Sequence, residues 1–339
     1  MTARTRLLVV ACGAAALAWS GAFAPAADPP DEPIAARVGG RTITRSRLDA
    51  AWQRANVAAV PAGPQRLWAE ATVLEQQVDE TLLQAAVAEE GIEPDAAVVD
   101  GAIKQLRQEA ATRGGTLEKF LTQTGRTEAG IREQIAQETA LRQFLARRIT
   151  PQAVRSHYEK NRREYDGTLL RISHLVLRPD LGRGETAVDE CLARAAAIRT
   201  RILEGEITFA EAVKAHSAGP SRRRGGDVGF MPRRSEANEE FASQAFALAK
   251  GDISRPFVTP FGVHIVQVTD IHPGTRSLAQ VQPQIEQLLA SRLVRETVAA
   301  ARRSTTITYA AGVPHFDPAT PADGPEPRRV VVGDAPETP

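Results

Sequence analysis

The chain has 339 residues, 42% of them apolar and 24% charged, with a net charge of +1 and two cysteines. That length allows two domains with tails, and the near-zero charge argues against an extended nucleic-acid surface.

Residues 1–26 read as a secretory signal: Arg4 and Arg6, an apolar core from Leu7 to Trp19, then small residues ending at Ala24-Pro25-Ala26. The apolar core is too short to span a bilayer and no later stretch is apolar enough, so no integral membrane span is expected in the mature chain. Val9-Val10-Ala11-Cys12 looks like a lipobox, but the hydrophobic run continues past it from Ala14 to Trp19, which favours cleavage near Ala26 over a lipid anchor at Cys12. Losing Arg4 and Arg6 takes the net charge from +1 to −1. Cys191 is then the single thiol, so an intramolecular disulfide is excluded and the exported fold must stand on its core. The expected location is periplasmic or otherwise extracytoplasmic.

After a short Pro-rich lead, IAARVGGRTITRSRLDAAW predicts a strand, a hairpin at Gly39-Gly40, a second strand, and a helix starting at Thr44 or Ser46. Helices follow. Leu74, Val78, Leu82 and Val87 form one apolar stripe, stopped at Gly91. Val99, Ile103 and Leu106 form another between Pro94 and Gly114-Gly115, and Leu117–Leu121 forms a third. Thr127 is positioned to cap a longer helix carrying Ile131, Ile135, Leu141 and Leu145. Thr150-Pro151 opens a helix expected to run to Tyr165.

Leu169–Ile271 reads as one α/β module bounded by the strands LLRISHLVL and FGVHIVQVTDI. Side chains alternate faces along a strand, so His174 shares a face with Ile172 and Val176, and His264 with Val266 and Val268. Two imidazoles thus point into apolar surroundings. Between them come an Ala-rich helix (Ala187–Glu204), the short helix in TFAEAVKAHS, the turn GGDVG, and the helix EEFASQAFALAKG. Beyond the module, Leu278–Arg302 predicts an amphipathic helix with Pro283 as a kink or start, and Thr305–Ala310 a strand. That strand lies far from any sequence neighbour it could pair with, so it is expected to return to the N-terminal hairpin. From Gly312 onward Pro, Asp, Glu and Arg dominate, and a disordered tail is expected.

The module resembles the parvulin family of peptidyl-prolyl isomerases. The matching pieces are SHLVL at Ser173–Leu177, FAEAVKAHS at Phe209–Ser217, GGDVGF at Gly225–Phe230, F-x4-F-x-L at Phe241–Leu248, KGDIS at Lys250–Ser254, and P-x2-T-x2-G-x-H from Pro256 to His264. The opening hairpin and helix resemble the N-terminal module of SurA- and PrsA-type chaperones. The expected fold is α+β: a helical chaperone-like domain built from residues 34–166 and 276–311, a parvulin-type module inserted at 167–272 with an antiparallel or mixed four-stranded sheet, and a tail at 312–339. The resemblance assigns the catalytic pair to His174 and His264, the seat for the proline ring to Phe241, the apolar wall beside it to Val228, and a floor hydroxyl to Thr259. Phe246 and Ala237 are further substrate-binding candidates.

Two positions depart from the family. Parvulins commonly carry Asp or Cys in the S-x-x-P turn, whereas here it reads Ser217-Ala218-Gly219-Pro220. A Gly219→Asp change is expected to leave activity equal or raise it. A bulky apolar residue usually stands four before the proline-seating Phe; here it is Ala237. The segment Arg178–Glu185 mixes both charge signs and gives no phosphate-binding cluster. There is no HExxH, CxxC or P-loop, and the remaining four histidines are scattered, so neither metal nor cofactor is expected. The implied function is isomerisation of X-Pro bonds in unfolded or partly folded exported polypeptides, combined with chaperoning. The alternative is a holdase whose module only captures extended segments.

Overall fold

A computed structural model describes residues 32–124, 126–180, 186–234, 239–317 and 328–332. The expected signal segment 1–26 and Ala237 lie outside the described residues. In chain order the first elements are β1 (Ile34–Val38), β2 (Arg41–Thr44), α1 (Arg45–Arg54), α2 (Pro64–Glu89), α3 (Ala96–Thr112), α4 (Leu117–Thr124) and α5 (Glu128–Arg148). Then come α6 (Pro151–Lys160), α7 (Arg162–Tyr165), β3 (Leu169–Leu177), α8 (Thr186–Leu203), α9 (Phe209–His216), β4 (Asp227–Pro232), α10 (Glu239–Phe246), β5 (Phe257–Thr259) and β6 (Gly262–His272). The chain ends with α11 (Leu278–Ser304), β7 (Ile307–Tyr309), β8 (Pro314–Phe316) and β9 (Val330–Val332).

The chain divides into two compact units, residues 1–150 with 286–339, and residues 151–285. The second unit is therefore larger than the expected 167–272 module. Polar stitching explains the difference. Tyr158 Oη donates to Arg276 O at 2.7 Å, Arg276 N to Asp166 O at 2.8 Å, and Gly274 N to Thr168 Oγ1 at 3.1 Å, which ties both flanks to the module.

In the first unit β1 pairs with β2 across the Gly39-Gly40 turn, with Gly39 at φ 59°, and with β7 on its other edge, Ala36 opposite Tyr309 and Val38 opposite Ile307. All three pairings in that register join the two ends of the chain in one antiparallel sheet. Thr44 caps α1 by accepting from Arg47 N. Ala35, Ile43, Leu48, Leu74, Val78 and Leu82 form the core beneath the sheet, and α11 contributes Val298 and Ala301 to it. Thr127 caps α5 as expected, accepting from Gly130 N at 3.1 Å. The helix expected to reach Tyr165 is broken at Asn161, and α2 starts ten residues before the stripe begins, at Pro64.

The tail expected to be disordered from Gly312 holds structure. Val313 and Phe316 are buried, and β8 pairs with β9 antiparallel. Arg328 explains how so polar a segment is retained: its guanidinium lies 4.0 Å from the Phe316 ring centroid and 2.9 Å from Glu75 Oε1 on α2.

The second unit is built on a four-stranded sheet of order β4-β3-β6-β5, antiparallel at each pairing. Alternation sorts its two faces. Leu175, Leu177, Val263 and Ile265 pack with Ala195 and Ile198 of α8 and Phe209 and Val213 of α9. Leu170, Ile172, Val266 and Val268 pack on the opposite face with Phe241, Ala245 and Phe246 of α10. α9 opens with a capping box, Thr208 and Glu211 each bonding the other's backbone amide.

Candidate functional site

β3 and β6 are paired so that His174 stands opposite Val266 and His264 opposite Val176. Cross-strand partners share a face, so both imidazoles emerge on the α10 side of the sheet, where its apolar cover ends. Their ring centroids are 6.0 Å apart. Phe241 stands edge-on to both, at 5.7 Å from His174 and 5.6 Å from His264, while Phe257 stacks on His264 at 5.6 Å and 22°. The rings of His174, His264 and Phe241 floor a cavity of about 810 Å³ whose walls include Val176, Gly219, Val228, Phe230, Pro232 and Phe261.

The turn Ser217–Pro220 is fastened to β3. Buried Ser217 Oγ accepts from Val176 N and Gly219 N, both at 3.2 Å, and Ala218 N donates to Val176 O at 2.8 Å. This draws Gly219 so close that a Cβ there would stand 2.9 Å from Val176 Cγ1 and 3.2 Å from His174 Nε2. Gly219 itself has φ −80°, so the backbone would accept a side chain and the obstacle is space. That spacing runs against the expectation that Gly219→Asp leaves activity equal or raises it.

On β5, Thr259 Oγ1 accepts from Phe261 N at 3.1 Å and lies 2.8 Å from His264 Nε2. The hydroxyl can donate its proton to Nε2 or accept a proton from it with its second lone pair, so this bond couples the Thr259 rotor to the His264 tautomer. Among the described residues, His264 Nδ1 and His174 Nε2 are buried without a hydrogen-bond partner. Burial, and secondarily the proximity of His174, pushes the His264 pKa down to about 4. Burial also lowers that of His174. Both rings are therefore neutral at pH 7. The site offers two neutral imidazoles with unspent polar nitrogens in an aromatic-lined recess, suited to receiving a polar group of a largely apolar ligand.

His174, His264, Phe241, Val228 and Thr259 are brought together around this cavity. Phe246 is not. It lies five residues beyond Phe241, about 140° further around the helix, and is buried in the cluster with Leu170 and Ile172 instead of lining the cavity. Phe230, Pro232 and Phe261 were not singled out as site residues. Strand alternation could have found Phe230, which follows Val228 by two in DVGFMP and is 48% exposed. Phe261 is 70% exposed within the P-x2-T-x2-G segment, a loop position with no periodicity to mark it.

Residues 174–270 match the family described as PPIC-type PPIASE domain, and residues 4–145 the family described as SurA-like N-terminal domain. Chaperone SurA of Vibrio cholerae is 31% identical over 233 residues, covering 67% of this chain and 53% of the relative. A probable parvulin-type peptidyl-prolyl cis-trans isomerase of Bordetella bronchiseptica is 29% identical over 145 residues, 42% of this chain and 51% of the relative. The chain thus spans about half the length of these curated relatives. Among solved structures, a peptidylprolyl isomerase (PrsA) from Bacillus anthracis aligns at 19% identity over 67% of this chain and 96% of that one, with a TM-score of 0.35.

Proposed function

We propose that this chain, whose residues 174–270 match the PPIC-type PPIASE domain family and residues 4–145 the SurA-like N-terminal domain family, isomerises X-Pro bonds in exported polypeptides. The observation that carries the reading is the neutral pair His174 and His264 beside Phe241 on the floor of an aromatic-lined cavity. An X-Pro bond rotates over a barrier of ~20 kcal/mol, and no covalent intermediate is needed to lower it. Amide resonance weakens as the bond twists, so an apolar site favours the twisted, less polar form over the planar ground state. Phe241 would seat the pyrrolidine ring, Val228 would wall it, and a ring N–H of the histidine pair would meet the oxygen or nitrogen of the rotating imide. Thr259 would hold the His264 tautomer.

The helical unit would hold unfolded clients, and the expected leader at 1–26 would deliver the protein to the periplasm. A second reading, a holdase without turnover, is favoured by one observation: Gly219 leaves His174 Nε2 without a polar neighbour from the Ser217–Pro220 turn. A protease-coupled assay on short X-Pro peptides separates the two. Catalysis is expected in the wild type, with Phe241→Ala and His264→Ala each at least tenfold slower, a loss of about 1.4 kcal/mol of transition-state stabilisation. No catalysis by the wild type would leave the holdase reading; unchanged rates in both folded variants would place the site elsewhere.

A further inference from the structure

β4 leads out of the cavity. Val228 and Phe230 line it, Pro232 stands at its rim, and beyond Pro232 the chain enters a second depression of about 320 Å³ in the same unit. Pro232 lines both. The second depression has a different chemistry: Arg163, Arg233, Arg234 and Arg276 line it, against the single carboxylate of Glu164.

Part of that charge is spent internally. Arg233 bonds Glu239 with both terminal nitrogens, and its Nε is 3.4 Å from Glu164 Oε2. Arg163 Nη1 donates to Leu248 O at 2.9 Å. The remaining nearby carboxylate, Asp166, accepts from Thr168 and pairs with Arg162 at 3.6 Å. Arg234 and Arg276 are exposed and, among the described residues, have no ion-pair partner. Arg234 also lies in the field of Glu239, but the carboxylates are bonded to other groups and neither Arg234 nor Arg276 forms an ion pair among the described residues, so the depression presents net positive charge and forked donors.

We infer that this depression is a subsite for an acidic side chain of the client, with Arg234 and Arg276 as the residues that determine the preference. It rests on the isomerase reading of the neighbouring cavity. The guanidinium fork matches a carboxylate bidentately. From Phe230 to Arg234 is four residues, at most about 13 Å because β4 ends at Pro232 and the chain bends beyond it, so a client lying along β4 would place there a residue within about four positions of its proline. The preferred substrate class is thus a segment in which Asp or Glu stands at that distance from an X-Pro bond.

The test uses nine-residue peptides with a central Ala-Pro in which one Glu is moved through every other position, each compared with Gln at the same place, at low ionic strength. At one position within four residues of proline, Glu should raise kcat/KM about threefold to tenfold, and 0.5 M NaCl should remove most of the gain. Arg234→Gln/Arg276→Gln should abolish the gain while treating the Gln peptides as the wild type does. A flat scan, or a gain that survives in the folded double variant, overturns the inference. Fluorescence anisotropy on the same peptides separates the two readings. If no peptide is isomerised yet Glu peptides bind the wild type more tightly than the double variant, the subsite stands and the isomerase reading falls. If turnover is brisk and indifferent to Glu, the reverse holds. Should the double variant not fold, a Lys scan on the wild type reads the same field: the position that favours Glu must disfavour Lys, and an indifferent response overturns the subsite.

Discussion

At residue scale, the site is governed by what surrounds two imidazoles. With its pKa near 4, His264 stays neutral through the working range. An imidazole NMR titration should show its midpoint near 4; a midpoint at 6 or above would mean a hydrated ring and would sink the apolar-site argument. The stability consequence has a definite sign. An unperturbed His in the unfolded chain protonates near 6.5, so between about 6.5 and 4 the unfolded state binds the extra proton and stability falls as pH falls. Gly219 supplies a second prediction. Its missing Cβ would overlap Val176 Cγ1, so Gly219→Asp alone should slow isomerisation or destabilise the fold, with about 1–3 kcal/mol as the usual range for overpacking. Val176→Ala in the same chain should restore the loss, because it removes the colliding methyl; no recovery would show that the carboxylate, not its bulk, is at fault. That His174 and His264 each face apolar neighbours was legible from strand alternation, since a period of two needs no knowledge of the partner strand, whereas their assignment to one site came from the parvulin resemblance. The space at Gly219 was not, because Ser217 sets it through bonds to β3, which is forty-one residues from it in sequence.

At the scale of elements, the glycines of GGDVG show why a weak sequence signal marks a strict geometric demand. Gly226 sits at φ +91°, and its amide oxygen accepts from His174 N at 3.0 Å. A Cβ there would stand 2.7 Å from His174 O. Gly226→Ala should therefore push β3 and β4 apart beside His174, at a cost of about 1–3 kcal/mol or more. Thermal melts should show a loss of several degrees with isomerase activity falling further than stability at 25 °C explains. A variant with unchanged melting and rate would show that β3 does not depend on this approach. Helices were legible where caps and stripes coincided, as with Thr127 and Ile131. β8 and β9 were not: three residues each, in Pro- and Arg-rich sequence, they exist because Val313 and Phe316 find cover on the first unit's core and Arg328 pairs with Glu75. The run Val330–Val332 is a local β-branched signal, but its pairing with Pro314–Phe316 is not.

For the whole molecule, the question is whether the module is an insertion in one domain. Leu169 pairs with His272 at the open end of the sheet, and antiparallel partners lie about 5 Å apart. Replacing Gly167–His272 by a short Gly/Ser linker therefore bridges a gap the native chain already closes. The first unit should survive the excision, because its sheet takes β1 from the start of the chain and β7 from near the end, and its core takes Val298, Ala301 and Ile307 from the C-terminal segment. Its second apolar cluster likewise joins Phe144 and Leu145 to Leu293 and Val294. The spliced protein should melt in one cooperative transition, slow the aggregation of an unfolded client, and have no isomerase activity. A chain ended at Ser304 supplies the converse: it exposes the β7 edge of β1, so it should be markedly less stable than the full chain. An unfolded splice product, or a fragment Ile34–Thr150 as stable as the intact first unit, would show that the terminal segments do not share a domain, and that the long-range pairing of Ala36 with Tyr309 contributes little to holding it.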